Sequence, residues 1–208
     1  MKKFLTVLAV VAVVFSAAQM SQAKVLRAPD ALAKGAMELS LILGHTPAQN
    51  NSTSTYSSYG IGFEYGTTDQ LGIKGEVKMG SWGTSTHTDV SVGASYALMK
   101  DNGSTPGVSL QASAGKEVAN SSGTVSNDTN IYTLVAVGKR MGKFYPFAGI
   151  GYNLASGTTS VSWLGANLAT KYDFTEKLNG WISANYFFSY SNNSSNTYTL
   201  TGAVGYTL

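Results

Sequence analysis

From Met37 onward, apolar residues alternate with small or polar ones, the two-residue period of strands whose two faces differ. Between Leu71 and Met79, Leu71, Ile73, Val77 and Met79 share one face while Lys74, Glu76 and Lys78 share the other, a division that a helix would mix. The same split sets Leu39, Leu41 and Leu43 against Glu38 and Ser40, and Tyr59, Ile61, Phe63 and Tyr65 against Ser58, Gly60, Gly62 and Glu64. It recurs where Val90, Val92, Ala94, Tyr96 and Leu98 oppose Ser91, Gly93 and Ser95, and where Val108, Leu110, Ala112 and Ala114 oppose Ser109, Gln111 and Ser113. Late in the chain, Ile182, Ala184, Tyr186, Phe188 and Tyr190 oppose Ser183, Asn185 and Ser189.

These patterns predict ten strands, at 37–45, 56–66, 71–80, 89–98, 107–116, 129–138, 144–154, 161–172, 181–190 and 197–208. The sixth is ambiguous, because Ile131, Val135 and Val137 fall on one face and Tyr132, Leu134 and Ala136 on the other. Connections alternate in character. Loops at His45 to Thr55, Ser81 to Thr88, Lys116 to Asp128, Ala155 to Ser160 and Ser191 to Asn196 alternate with turns at Thr67 to Gln70, Asp101 to Gly103, Lys139 to Lys143 and Asp173 to Gly180. Short turns at one end and longer loops at the other are the plan of an all-β, antiparallel, up-and-down transmembrane barrel of about ten strands. Eight strands would result if two segments merged or stayed outside the barrel. An even count puts both termini on one side, expected to be periplasmic.

Alternation leaves the apolar face free to point inward, as in a soluble ligand-binding barrel, or outward into lipid. Three features select lipid. The polar face is largely Gly, Ser, Ala and Thr, which suits a narrow lumen, while the large residues lie on the other face. Aromatics gather at strand ends, with Tyr65, Tyr96, Phe144, Tyr172 and Tyr206 toward one rim and Tyr59, Trp82, Tyr152, Tyr190 and Tyr198 toward the other, as the two girdles of a membrane barrel do. The last strand, with Tyr198, Leu200, Val204, Tyr206 and Leu208 alternating, is of the amphipathic kind that barrel-insertion machinery reads.

The segments Phe144-Tyr145-Pro146-Phe147-Ala148-Gly149-Ile150-Gly151-Tyr152-Asn153 and Tyr172-Asp173-Phe174-Thr175, the latter leading into Ile182 to Phe188, resemble the small opacity/OmpA-type barrel family. The resemblance covers roughly residues 37–208 and implies an outer-membrane barrel, although the terminal Phe usual in that family is Leu208 here.

Composition sharpens this picture. Charged residues make up 12 % of the chain, about half of what a soluble domain carries, as expected where one face of every strand meets lipid. There is no cysteine, hence no disulfide, thiol nucleophile or Cys-based metal site. Residues 1–23 begin with Lys2 and Lys3, continue through the apolar run Phe4 to Ala18 and end Ser21-Gln22-Ala23, the form of a cleaved export signal. That run is shorter than the about 20 residues a membrane-spanning helix needs. Cleavage would remove two of the 14 basic residues and none of the 11 acidic ones, leaving a net charge of +1 and no electrostatic case for nucleic acid. Residues 24–36, with Pro29, then form a short periplasmic arm rather than a helix through the lumen.

Glu38, Glu64, Lys74, Glu76 and Lys78 are predicted to share the lumen as an ionic cluster, because each Lys facing lipid near the midplane would cost about 2–4 kcal/mol. Such a cluster either plugs the lumen and fixes register or gates a narrow water path. The two histidines are His45 and His87, and His87-Thr88-Asp89 is the single His/carboxylate pair close in sequence. No second paired-carboxylate motif accompanies it, so no catalytic residue, metal or cofactor is assigned. Asn51-Ser52-Thr53 and Asn120-Ser121-Ser122 match glycosylation sequons through loop composition alone. Expected partners are outer-membrane lipid and lipopolysaccharide, the insertion machinery, and a surface ligand reached through loops carrying Tyr56 and Trp82.

Overall fold

The computed structural model describes residues 28–47, 55–157, 161–189 and 197–208. The export signal, the first four residues of the arm, the Asn51 sequon and Tyr190 lie outside them. Ten strands form one closed antiparallel barrel: β1 (Met37–Thr46), β2 (Tyr56–Gly66), β3 (Leu71–Trp82), β4 (Ser85–Met99), β5 (Gly107–Ser121), β6 (Thr124–Gly138), β7 (Phe144–Ser156), β8 (Val161–Asp173), β9 (Leu178–Ser189) and β10 (Thr197–Thr207). Each pairs with its chain neighbours, and β1 pairs with β10 to close the ring. The eight-strand alternative is thereby excluded. Closure leaves no sheet edge, the condition for placing strands in lipid.

The alternation becomes two surfaces. Outward residues are apolar and open, among them Leu41 at 67 % exposure, Ile150 at 65 % and Leu168 at 67 %. A continuous apolar belt of this kind does not occur on soluble proteins and marks a lipid-facing wall. Inward residues are buried, so the apolar face does not fill the barrel as it would in a soluble one.

β4, β5 and β6 are each five residues longer than the pattern predicted. The expected loops at Ser81 to Thr88 and Lys116 to Asp128 are strand almost throughout, and each closes in a two-residue turn. In one, Ser122 (φ 50) and Gly123 (φ 85) both take the left-handed conformation of a type I′ turn. In the other, Gly83 (φ 58) alone does so, as in type II′. Ser, Thr and Asn look like loop residues by composition, but paired strands on both sides supply the hydrogen bonds that keep them extended. Asn120 is accordingly a strand residue opposite Thr86 and Val125. The expected turn at Asp173 to Gly180 is likewise shorter, since β9 begins at Leu178.

The structure also orients β6. Pairing Asn130 with Gly115, and Leu134 with Gln111 and Gly151, sends Tyr132, Leu134 and Ala136 inward and Val135 and Val137 outward.

Candidate functional site: the lumen and its two walls

Across β1 to β5 the inward side chains are mostly small, polar or charged, with Ile42 the buried apolar exception. Glu38, Glu64, Lys74 and Glu76 are all buried, Glu76 to 5 % exposure, and Lys78 is nearly so. Glu64 and Lys74 are register partners on β2 and β3, and the contacts of the set extend beyond it. Glu76 pairs with Lys78 at 2.7 Å, and Lys78 stands opposite Asp89 on β4. Lys74 donates to Gln111 Oε1 at 2.9 Å, Gln111 donates to Ser109 Oγ at 3.2 Å, and Ser95 Oγ donates to Glu64 at 3.4 Å. Glu38 crosses the closing seam, accepting from Asn179 Nδ2 at 2.7 Å and meeting Lys171 Nζ at 3.6 Å. Lys171, Asn179 and Gln111 join this set from other strands. Each was missed in sequence because its partner lies several strands away. A buried charge is costly without opposite charges or hydrogen-bonding partners, and most of these groups have such partners within the lumen.

Across β6 to β9 the inward face adds large aromatic and apolar groups to buried polar residues, among them Asn130, Asn153, Asn167 and Asn185. Tyr132, Leu134, Ala136, Phe147 and Phe187 form one buried cluster, with Trp163 and Ala169 packed against it. Ile42, Trp181 and Ala203 form a second. The expectation of a lumen lined by small residues therefore holds for one wall and not the other. Inward glycines make room for the large groups: a Cβ on Gly149 would meet Leu134 at 2.6 Å, and one on Gly165 would meet Phe187 at 3.0 Å. The signal was readable, because Trp181 and Phe187 share strand parity with Ser183 and Asn185, already assigned to the polar face. Beside this cluster Tyr132 donates to Asn167 Oδ1 at 3.1 Å, and the buried Asn130 and Asn153 meet at 3.5 Å.

The arm does not hang free of the barrel. Pro29 is fully buried and Ala28 packs on the Tyr132 cluster. Asp30 accepts from Tyr145 Oη at 3.1 Å and lies 4.0 Å from Arg140. Arg140 also pairs with Asp173 and stacks 5.1 Å from the Tyr145 ring centre. Residues 28–32 thus occupy the mouth at the rim that carries both chain ends, and the residues are not helical. Sequence alone gave no pattern for them.

Both histidines lie near the opposite rim. His87 faces inward and bonds Glu117 on β5 at 2.5 Å, a diagonal cross-strand contact, since the register partner of Glu117 is Asp89 and that of His87 is Ala119. Tyr56 is the first residue of β2, not a loop residue, and its ring meets His87 edge-on at 5.6 Å. Here the outward positions Thr86, Thr88, Lys116, Asn127 and Thr129 are polar, so this hairpin stands beyond the apolar belt. The Glu117 carboxylate raises the His87 pKa above its ordinary value, with Asp89 and Asp128 adding to the effect against burial. His45 faces outward, with Nδ1 3.2 Å from Ser57 Oγ. Among the described residues no group of three His, Asp or Glu could hold a metal ion.

Of the expected girdle residues, Tyr65, Tyr96, Phe144, Tyr172 and Tyr206 face outward near the rim of the chain ends, and Tyr59, Tyr152 and Tyr198 face outward toward the other. Phe144, Tyr172 and Phe174 stack in series, with centroids 4.7 and 5.0 Å apart. Trp82 pairs through its backbone with Tyr56 and Ser85, and its side chain lies outside what is described.

No protein-family model matches the chain, and no curated protein matches it. Among solved structures it is similar to an outer membrane channel from Pseudomonas putida F1, at 12 % identity over 89 % of this chain and 100 % of that one, with a TM-score of 0.56. It is also similar to the beta domain of the Bordetella autotransporter BrkA, at 10 % identity over 84 % of this chain and 100 % of that one, with a TM-score of 0.59. Ten closed strands, an apolar outer belt and these likenesses together give the chain the fold of the small transmembrane β-barrels of bacterial outer membranes.

Proposed function

We propose that the protein is a bacterial outer-membrane barrel with both termini periplasmic, acting as a closed membrane-embedded scaffold that meets surface ligands through the hairpins at its far rim. One observation carries this reading: the inward side chains are buried along the length of the barrel, and residues 28–32 fill one mouth. A solute path needs a continuous wet lumen. Localisation rests on the outer belt and the fold. Catalysis is no part of the reading, because neither histidine has both a nucleophile and an orienting carboxylate on its two ring nitrogens.

A second reading is a narrow ion channel. It is favoured by the one-sided lumen, in which Glu64, Lys74, Glu76, Lys78 and Asp89 run along β2 to β4 beside the small residues Ser91, Gly93 and Ser113. Planar-bilayer conductance of residues 24–208 separates the two, with Glu76→Gln measured alongside. The scaffold reading expects silence from both chains in verified inserted samples. Reproducible steps that grow larger in Glu76→Gln would establish the ion path and overturn it.

A further inference from the structure

The outer wall is not uniformly ridged. A groove of about 970 Å³ crosses it where small outward residues interrupt the apolar belt. Its floor is Gly180, Gly202 and Thr170, and its sides are Ile182, Leu43 and Leu41. The register explains the depression: Gly180 sits between Tyr172 and Val204, and Gly202 between Ile182 and Leu43, so two consecutive rows each lack a side chain at adjacent strands. A Cβ on Gly202 would meet nothing closer than 3.8 Å, so the space there is open, whereas one on Gly180 would meet the Phe174 ring at 2.9 Å, so that ring covers Gly180 and forms the end wall of the groove.

The groove ends at the rim of the chain ends against Phe144, Tyr172 and Phe174, and there the polarity changes. Lys143 Nζ donates to the Phe174 carbonyl at 3.3 Å, and Lys177 Nζ lies 5.9 Å from the Tyr206 ring centre. Both lysines are exposed, one on each side of Phe174. Asp173, the carboxylate beside them, is already engaged by Arg140 and Lys171, and Glu176 lies in the same turn. An apolar channel that opens between two cations beside a set of aromatic rings has the polarity sequence of a phospholipid: hydrocarbon, interface, anionic phosphate.

We propose that this groove is a specific binding site for a phospholipid with an anionic headgroup, its acyl chain lying over Gly202 and Thr170 and against the Phe174 ring, and its phosphate between Lys143 and Lys177. The proposal rests on the membrane reading above, and it adds a defined site to what would otherwise be non-specific solvation by lipid. A glycine floor admits the chain closer to the sheet than the flanking Leu and Ile rows allow. The lysines then select headgroup charge, each cation near the surface being worth about fivefold in affinity.

The test is native mass spectrometry of refolded residues 24–208, released from detergent micelles holding equal amounts of phosphatidylglycerol and phosphatidylcholine with identical acyl chains. Retained phosphatidylglycerol should exceed phosphatidylcholine at least about fivefold. The double variant Lys143→Gln/Lys177→Gln should bring the two to parity, and Gly202→Leu, which fills the floor, should lower retention of both. Lys139→Gln, on the same rim but bonded to the Ser104 carbonyl, should change neither. Equal retention of the two lipids by the unmodified chain, or undiminished selectivity in the double variant, would overturn the site. Preferential retention of added lipopolysaccharide would overturn its assignment to phospholipid. Failure of the unmodified chain to insert into vesicles would overturn the membrane reading itself, whereas insertion without selectivity removes only the site.

Discussion

The two walls of the lumen solve one problem in opposite ways. Along β1 to β5 the interior is closed by charges wired to one another, with Glu76 on Lys78 and Lys74 on Gln111. Along β6 to β9 it is closed by Tyr132, Leu134, Phe147 and Phe187, laid over glycines of the neighbouring strands. The ionic wall gains little net stability, because desolvating each ion offsets the attraction, yet it penalises every register that would unpair a charge. The apolar wall gains packing energy directly but specifies register less sharply, since one apolar group replaces another at low cost. In a barrel, where a one-residue slip exchanges lumen for lipid, holding both kinds of wall joins specificity to stability.

Substitutions that confuse the walls should therefore differ in predictable order. Phe187→Ala, which opens a cavity in the apolar wall, is expected to cost about 3–5 kcal/mol in urea unfolding from vesicles. Phe188→Ala, one residue on and facing lipid, should cost less than half as much, since lipid fills the space it leaves. Equal losses would mean the apolar cluster is not packed as described.

Val77→Lys places a new charge on the lipid face, one residue from Lys78, which points inward. It should cost about 2–4 kcal/mol by the same measurement if Val77 lies near the midplane. A neutral result would place that row at or outside the interface.

The protruding hairpin should be tunable by pH. His87 has its pKa raised in the folded state by Glu117, so the protonated pair contributes fully below the ordinary value of 6.5 and is lost as pH rises through the higher folded value. Amide exchange at residues 85–89 and 116–120, corrected for intrinsic rate, should be slower at about pH 6 than at about pH 8.5, and His87→Gln should abolish the difference. A pH difference that survives in His87→Gln would assign the effect to another group.

The smallest effect is expected at the tip of β5 and β6. Ser122 carries φ 50 without the tolerance of Asn or Gly for that region, so Ser122→Asn should stabilise the hairpin by about 0.5 kcal/mol, read as slower exchange at its neighbours. Faster exchange would show that the Ser122 side chain supports the turn in a way that its conformation does not express.

Much of the architecture is written locally. Leu39 to Leu43, Leu71 to Met79 and Val90 to Leu98 each declare a strand and its two faces, because a period of two needs only the residues of that strand. The placement of Glu38, Glu64, Lys74, Glu76 and Lys78 on the inward face follows from the same parity. Tertiary structure decided whatever depended on a neighbour. The direction of β6, with apolar residues on both faces, is set by Asn130 facing Gly115 and by the glycines of β7 that admit Tyr132 and Leu134. The length of β4, β5 and β6 is set by mutual pairing, which holds Ser, Thr and Asn extended where their composition reads as loop. The bond of His87 to Glu117 is a diagonal contact across the β4–β5 pair, with Asp89 as the register partner of Glu117, and it depends on the pairing of the two strands. The burial of Pro29 and Ala28 in the barrel mouth needed the mouth to exist first. Strand identity is a property of short sequence, while pairing partner, strand length and plug are properties of a ring that only closure defines.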